Sequence, residues 1–385
     1  MPDVALLALI LAAIVIGYFL GLRDQKRRSA KQSGSLSQEY FTGLNYLINE
    51  QTEEAIDVFI KAIDLNSDTV ETYLALGSLF SKRGEVEKSI HIHQDLLARP
   101  SLTSAQSLQV QLALAANYSY AGLLDRAEAI LVDLGSNDQA LKQLLRIYEQ
   151  QNDWLKAAEI AERLRYIDGH YYSTLLAHYY CEQSEVALRQ NDRVTVRRLI
   201  RQAFSRDKDS VRASLLLGQL EFDEGNYKES IKALQRISSQ NISFIPLALP
   251  LMQKAFEYST NSRSYTAFLT RCLNERPLSA VVIALTHQLN DESGEEAAIR
   301  FLSDQMNKYP TLRGLNELIS FRHSDHKVVQ EDLLILIKKL TARLVELKPV
   351  YSCSSCGFSG KQLHWQCPGC HQWGTVKPIQ GFEGQ

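Results

Sequence analysis

The sequence predicts an all-α protein: a superhelical solenoid of paired helices, one membrane-spanning helix at its N-terminus and a small metal-stapled module at its C-terminus. Three observations carry that prediction. Residues 4–22 hold no charged side chain. The middle of the chain repeats itself at a period of about 34 residues. Four of the six cysteines fall near the end as Cys353-x-x-Cys356 and Cys367-x-x-Cys370. The 385 residues are 45% hydrophobic, enough for a substantial core, and a net charge of −2 gives no general electrostatic case for nucleic acid. Prolines number only nine, and no stretch alternates apolar and polar residues long enough to read as a strand.

The apolar run, VALLALILAAIVIGYFLGL, is just long enough to cross a hydrocarbon core of roughly 30 Å at about 1.5 Å per residue. Arg23, Lys26, Arg27 and Arg28 follow it against Asp24 alone, while Met1-Pro2-Asp3 before it carry no basic side chain. Lys and Arg stay on the cytoplasmic side, so residues 1–22 are expected to be an anchor with its short N-terminus outside and the rest of the chain in the cytosol. A cleaved signal peptide would instead place basic residues before the run and a small-residue cleavage site after it. Residues 23–35 form a basic juxtamembrane linker, grading into the small polar stretch SAKQSGSLS.

From residue 36 to 241 the chain reads as about six helix pairs. Gly43, Tyr46, Ala55, Phe59 and Ala62 align with Gly77, Phe80, Ser89, His93 and Leu96. Ala115, Tyr118, Gly122, Ala127 and Leu131 make a third copy, and Leu145, Tyr148, Ala157, Ala161 and Leu164 a fourth. Ser184, Ala187, Val196 and Ile200 give a weaker fifth; Leu217, Gly218, Gly225, Asn226, Tyr227, Ser230 and Leu234 restore the pattern. A small residue at the Gly43/Gly77/Ala115/Gly218 position lets the two helices of a pair approach closely, and the small residue at Ala55/Ser89/Ala127/Ala157 marks their crossing. This pattern resembles the tetratricopeptide repeat. Residues 242–348 keep helical periodicity while the small positions drift, and read as degenerate pairs. Each unit buries its face only against its neighbours, so the array is expected to curve around an extended surface that holds proteins.

In residues 349–385 the two cysteine pairs have the spacing of two metal-binding knuckles, with Gly357 and Gly369 allowing the tight backbone. Cys353, Cys356, Cys367 and Cys370 are the candidate ligands of one metal ion. Two disulfides are the competing reading; they need an oxidising compartment, which the predicted topology denies them. The knuckles resemble those of rubredoxin, which admits iron and one-electron transfer. Only ten residues separate the pairs, however, closer to a minimal zinc ribbon. About thirty residues bury little core and rely on metal to fold, and redox-inert zinc suits that clasp. Phe358, Trp365 and Trp373 are expected to dock this module on the last helices.

Other residues invite sharper readings. His91 and His93 lie two apart on a helix and point to different sides, His93 at a packing position. Cys181 and Cys272 sit in apolar helical contexts as core residues. Arg193, Arg197 and Arg201, with Arg198 beside them, line one helix; they could grip carboxylates or lipid phosphates, a contact with lipopolysaccharide itself included, or form a solvated face. Tyr166, Tyr171, Tyr172, Tyr179 and Tyr180 could line a groove or pack between repeats. His364 and His371 flank the second cysteine pair as neighbours rather than ligands. The sequence holds no P-loop, nucleophile elbow, HExxH or Gly-rich dinucleotide loop, so no enzyme activity is expected.

An anchor, a long repeat array and a terminal knuckle pair running into Trp373-Gly374-Thr375-Val376-Lys377-Pro378-Ile379 together resemble the lipopolysaccharide assembly protein B family of Gram-negative bacteria. Arg83-Gly84-Glu85 and Ile90-His91-Ile92-His93-Gln94 carry the same resemblance, which covers essentially the whole chain. It implies a single-pass inner-membrane adaptor facing the cytoplasm. Such an adaptor presents the deacetylase of the lipid A pathway to a membrane-bound AAA+ protease and gathers lipopolysaccharide assembly enzymes. It also implies that the anchor and the four cysteines are required. A rubredoxin-like electron carrier and a general membrane-tethered scaffold or chaperone for envelope proteins are the alternatives.

Overall fold

The computed structural model describes residues 38–49, 51–65, 70–100, 102–259, 262–322 and 331–381. The predicted anchor and basic linker lie outside these, and among the described residues no helix is long and apolar enough to cross a membrane. The chain divides into two compact units, residues 1–147 and 148–385.

The first unit holds α1 (Gln38–Ile48), α2 (Thr52–Leu65), α3 (Val70–Lys82), α4 (Val86–Leu97), α5 (Ser104–Tyr120), α6 (Leu124–Asp133) and most of α7 (Asp138–Gln150). The second begins in the last turn of α7. It continues with α8 (Trp154–Leu164), α9 (Gly169–Arg189), α10 (Arg193–Arg206), α11 (Val211–Asp223) and α12 (Tyr227–Asn241). A 3-10 turn (Ile242–Phe244) leads to α13 (Ile245–Tyr258), α14 (Ser262–Glu275), α15 (Ser279–Ser293), α16 (Glu295–Lys308), α17 (Leu312–Arg322) and α18 (Glu331–Leu347). Three short strands close the chain: β1 (Tyr351–Cys353), β2 (Ser359–Gly360) and β3 (Val376–Pro378).

The six helix pairs that precede Ile242 share one turn chemistry. The first helix of each pair ends where an amide reaches back five residues: Gln51 to the Tyr46 carbonyl at 2.9 Å, Glu85 to Phe80 at 2.8 Å, Leu123 to Tyr118 at 2.8 Å. The same bond recurs from Asp153 to Tyr148 at 2.9 Å, Asp192 to Ala187 at 3.0 Å and Asn226 to Glu221 at 2.8 Å. In the last five of these closures the residue just before the donor is left-handed: Gly84, Gly122, Asn152, Asn191 and Gly225, at φ between 56° and 85°. Carboxylates then start the next helix: Asp153 accepts from the Lys156 amide at 3.1 Å and Asp192 from Thr195 at 3.1 Å.

Bare backbone fixes the crossing within a pair. A Cβ on Gly218 would lie 2.5 Å from a methyl of Leu234, and one on Gly43 would lie 2.7 Å from the Phe59 ring. His93 fills the same place over Gly77. Four residues earlier in the second helix a small hydroxyl ties the crossing, Ser89 donating to the Gly77 carbonyl at 2.6 Å and Ser230 to that of Gly218 at 2.7 Å. His93 is therefore a packing residue, buried beside Asn117, while His91 is exposed. The core of the second unit runs through Leu234, Phe244, Met252, Phe268, Leu269 and Leu285. Cys181 and Cys272 are buried apolar groups whose thiols burial pushes up, to about 12 and about 11.

Candidate metal centre

The last segment folds as a three-stranded antiparallel sheet in the order β2-β1-β3, with Tyr351 opposite both Gly360 and Pro378. Two knuckles of matching geometry project from it. In the first, the Cys353 amide donates to the Phe358 carbonyl at 2.7 Å and Gly357 donates back to Cys353 at 3.1 Å. In the second, Cys367 donates to Gln372 at 2.9 Å and His371 donates back to Cys367 at 2.8 Å. The left-handed residue of the second knuckle is thus His371 at φ 57°, matching Gly357 at φ 76°, and not Gly369 between the cysteines. His371 has a backbone role, with its side chain exposed.

The knuckles bring the four sulfurs within 4.8 Å of one another, and these cysteines are the one such cluster of metal-binding groups among the described residues. Cys353 and Cys370 Sγ lie 3.8 Å apart, and Cys356 and Cys367 Sγ 3.6 Å. A tetrahedral ion with metal–sulfur bonds of about 2.3 Å sets its ligands about 3.8 Å apart, so the donor set fits one zinc or iron ion. The charge pattern agrees. Thr375 Oγ1, 3.3 Å from Cys353 Sγ, brings that thiol down to about 6. The Phe358 amide favours a thiolate at Cys356, yet burial and the adjoining cysteines push it up to about 12. Four sulfurs at this distance cannot all ionise without a cation among them.

The module seats on the first half of the second unit, between Glu149 and Phe244, which corrects the expectation that it docks on the last helices. Trp373 packs edge-on against Trp154 at 5.8 Å and Tyr179 at 5.7 Å between ring centroids, and donates its indole N–H to Glu149 Oε1 at 2.8 Å. The Tyr179 hydroxyl donates to the same oxygen at 2.6 Å. Trp365 stacks on Phe244 at 5.8 Å and covers the Arg212 guanidinium at 5.7 Å. Arg212 is only 3% exposed and is held by Glu182 at 2.9 Å and Glu185 at 2.6 Å. His178 lies between the two indoles, 5.2 Å from Trp373 and 6.0 Å from Trp365. Burial first, then the nearby Arg212 charge, drives its imidazole down to about 3. Phe358 remains inside the module, edge-on to His364 at 5.9 Å. The seat residues Glu149, Trp154, His178 and Arg212 carry no spacing motif that links them to the cysteines.

The other candidates separate. Tyr172 and Tyr179 are buried, whereas Tyr166 and Tyr171 are exposed, so the tyrosines do not line one groove. Arg197 is paired with Glu221 and Glu224, while Arg193, Arg198 and Arg201 are exposed.

Known proteins resemble this chain along its length. The family model described as rubredoxin metal binding domain matches residues 351–378, and that of the tetratricopeptide repeat matches residues 181–241. Lipopolysaccharide assembly protein B of Escherichia coli is 31% identical over 385 residues, covering 98% of this chain and 99% of its own. The Haemophilus influenzae protein of the same name is 31% identical over 384 residues, covering 96% and 97%.

Proposed function

Because this chain belongs to the lipopolysaccharide assembly protein B family, we propose that it is a non-catalytic adaptor for lipopolysaccharide biosynthesis at the bacterial inner membrane. Residues 1–22 tether it as a single-pass protein with its bulk in the cytoplasm, and residues 23–35 link the tether to the repeats. The repeats of residues 36–241 and the degenerate pairs of residues 242–348 hold protein clients. The adaptor presents the lipid A pathway deacetylase to a membrane-bound AAA+ protease and organises lipopolysaccharide assembly enzymes. Tethering raises its effective concentration near membrane partners without any new contact. Cys353, Cys356, Cys367 and Cys370 hold one structural metal ion, zinc in this reading, since an all-thiolate set leaves no ligand position open for chemistry.

The observation that carries the reading is the match to the two named relatives, 31% identical over nearly the full length of each. It is tested by in vivo crosslinking of the full chain tagged at its C-terminus, gentle solubilisation and mass spectrometry. The expected result is enrichment of the membrane protease together with lipid A enzymes. Enrichment of reductases or redox carriers without the protease would replace the adaptor by an electron carrier.

A further inference from the structure

We propose that α10 forms a binding groove for an acidic peptide segment of a protein partner, apart from the metal module and independent of the lipopolysaccharide reading. The helix carries Arg193, Arg197, Arg198, Arg201 and Arg206 and no acidic residue. Arg193, Arg197, Arg198 and Arg201 line a groove of about 600 Å³, together with Val194 and Glu224. Two of the helix's five guanidinia are already matched. Arg197 takes Glu221 and Glu224, and Arg206 reaches Glu162 at 3.3 Å. Arg193, Arg198 and Arg201 are exposed along the same groove. Beside them Val194 is 83% exposed, an apolar contact for a peptide backbone or aliphatic side chain.

The arrangement favours spaced carboxylates. Arg193 and Arg201 stand about 12 Å apart along the helix at about 1.5 Å per residue. An extended segment rising about 3.3 Å per residue brings carboxylates four positions apart to that spacing. Between the two, Glu224 already supplies the carboxylate for Arg197, showing the geometry that a visiting side chain would extend to its neighbours. The exposed guanidinia are spread along about 12 Å of helix, farther than one compact phosphate reaches, which sets a peptide with spaced carboxylates ahead of a phosphate.

The test titrates the full-length protein in detergent micelles against fluorescein-labelled hexaglutamate and reads anisotropy at low and physiological salt. The expected result is saturable binding that Arg193→Gln/Arg198→Gln/Arg201→Gln weakens by about tenfold or more. A control removing the same charge elsewhere, Lys232→Gln/Arg300→Gln/Lys308→Gln, should change it by less than about twofold. Both variants alter exposed side chains and should keep the parental circular-dichroism melt, and Arg193→Lys/Arg198→Lys/Arg201→Lys should recover part of the binding. Absence of saturable binding would overturn the proposal, as would an equal loss in the control. So would competition by inorganic phosphate or by phosphatidylglycerol mixed into the micelles at concentrations no higher than unlabelled hexaglutamate requires, which would assign the groove to phosphate-bearing ligands instead.

Discussion

Trp373 donates its indole N–H to Glu149, 224 positions earlier in the chain, and the carboxylate oxygen that receives it also receives the Tyr179 hydroxyl. One carboxylate thus joins the metal-binding module to α9. Hydrogen bonds to a charged acceptor contribute about 1.5–3 kcal/mol, and a buried donor left without a partner costs a similar amount. Trp373→Phe keeps most of the ring packing and removes one donor, so it should destabilise the chain by about 2 kcal/mol. Glu149→Ala orphans two donors and should cost more. Urea denaturation of the full-length protein measures both. A Trp373→Phe midpoint indistinguishable from the parent would show that packing alone seats the module.

Metal removal should be visible in intrinsic fluorescence. The chain has three tryptophans, and Trp154, Trp365 and Trp373 all lie at the seat of the module. The knuckle backbone that aims Trp365 and Trp373 is organised around the sulfurs, and metal-binding free energy of about 10–16 kcal/mol in small thiolate modules is folding free energy. Displacing the ion with a mercurial, or introducing Cys353→Ser, should red-shift the emission and expose it to acrylamide. Unchanged emission after stoichiometric metal release would mean that the seat holds without the ion.

Gly218 lies so close to Leu234 that a methyl group has no room. An added Cβ would lie 2.5 Å from one Leu234 carbon and 2.6 Å from another. Overpacking of this kind costs about 1–3 kcal/mol, against a helix-propensity gain of about 1 kcal/mol for replacing Gly by Ala. Gly218→Ala should therefore lower stability by roughly 1 kcal/mol net. Gly169→Ala, where an added Cβ meets nothing within 4 Å, should be neutral or slightly stabilising. Equal melting temperatures for the two variants would show that Leu234 moves aside without cost.

The periodic residues were legible because each acts on its own neighbourhood. Tyr46, Phe80, Tyr118 and Tyr148 recur at one register position, the last turn of the first helix, whose carbonyl accepts the closing amide, as those of Ala187 and Glu221 do in the later pairs. Gly77 and Gly218 recur because a side chain sixteen positions later lies on their backbone. The cysteine spacing is likewise local, which is why two knuckles could be read directly. The seat of the module was not legible. Trp365 and Trp373 announced an apolar surface, but their receptor depends on where tertiary folding carries α9 and α11. Glu149 and Arg212 look like ordinary charges on amphipathic helices until that closure half-buries the first and fully buries the second. The backbone role of His371 was not legible for another reason: a left-handed backbone at a residue other than glycine leaves no compositional mark, and Gly369 nearby was the more obvious candidate.

His93 should make the first unit sensitive to acid. It is 1% exposed, and the Asn117 amide faces its Nδ1 at 2.7 Å while also donating to Ser89 at 2.6 Å. Burial holds its imidazole down from 6.5 to about 4. The unfolded chain takes up a proton as pH falls through 6.5, and the folded chain does not until about 4. Stability is therefore unaffected above that window and falls within it, with a slope of up to about 1.4 kcal/mol per pH unit from this group. His93→Leu installs the residue type that Leu234 supplies over Gly218, so the crossing over Gly77 should still pack, and Asn117 keeps Ser89 as a partner. The variant should show a shallower loss of stability between pH 6.5 and 4, read as the difference between parental and variant urea midpoints at each pH. The metal module is common to both proteins and cancels in that difference. Parallel profiles would show that the first unit accommodates a charged imidazole at this crossing, and the burial of His93 would then have no consequence for folding in acid.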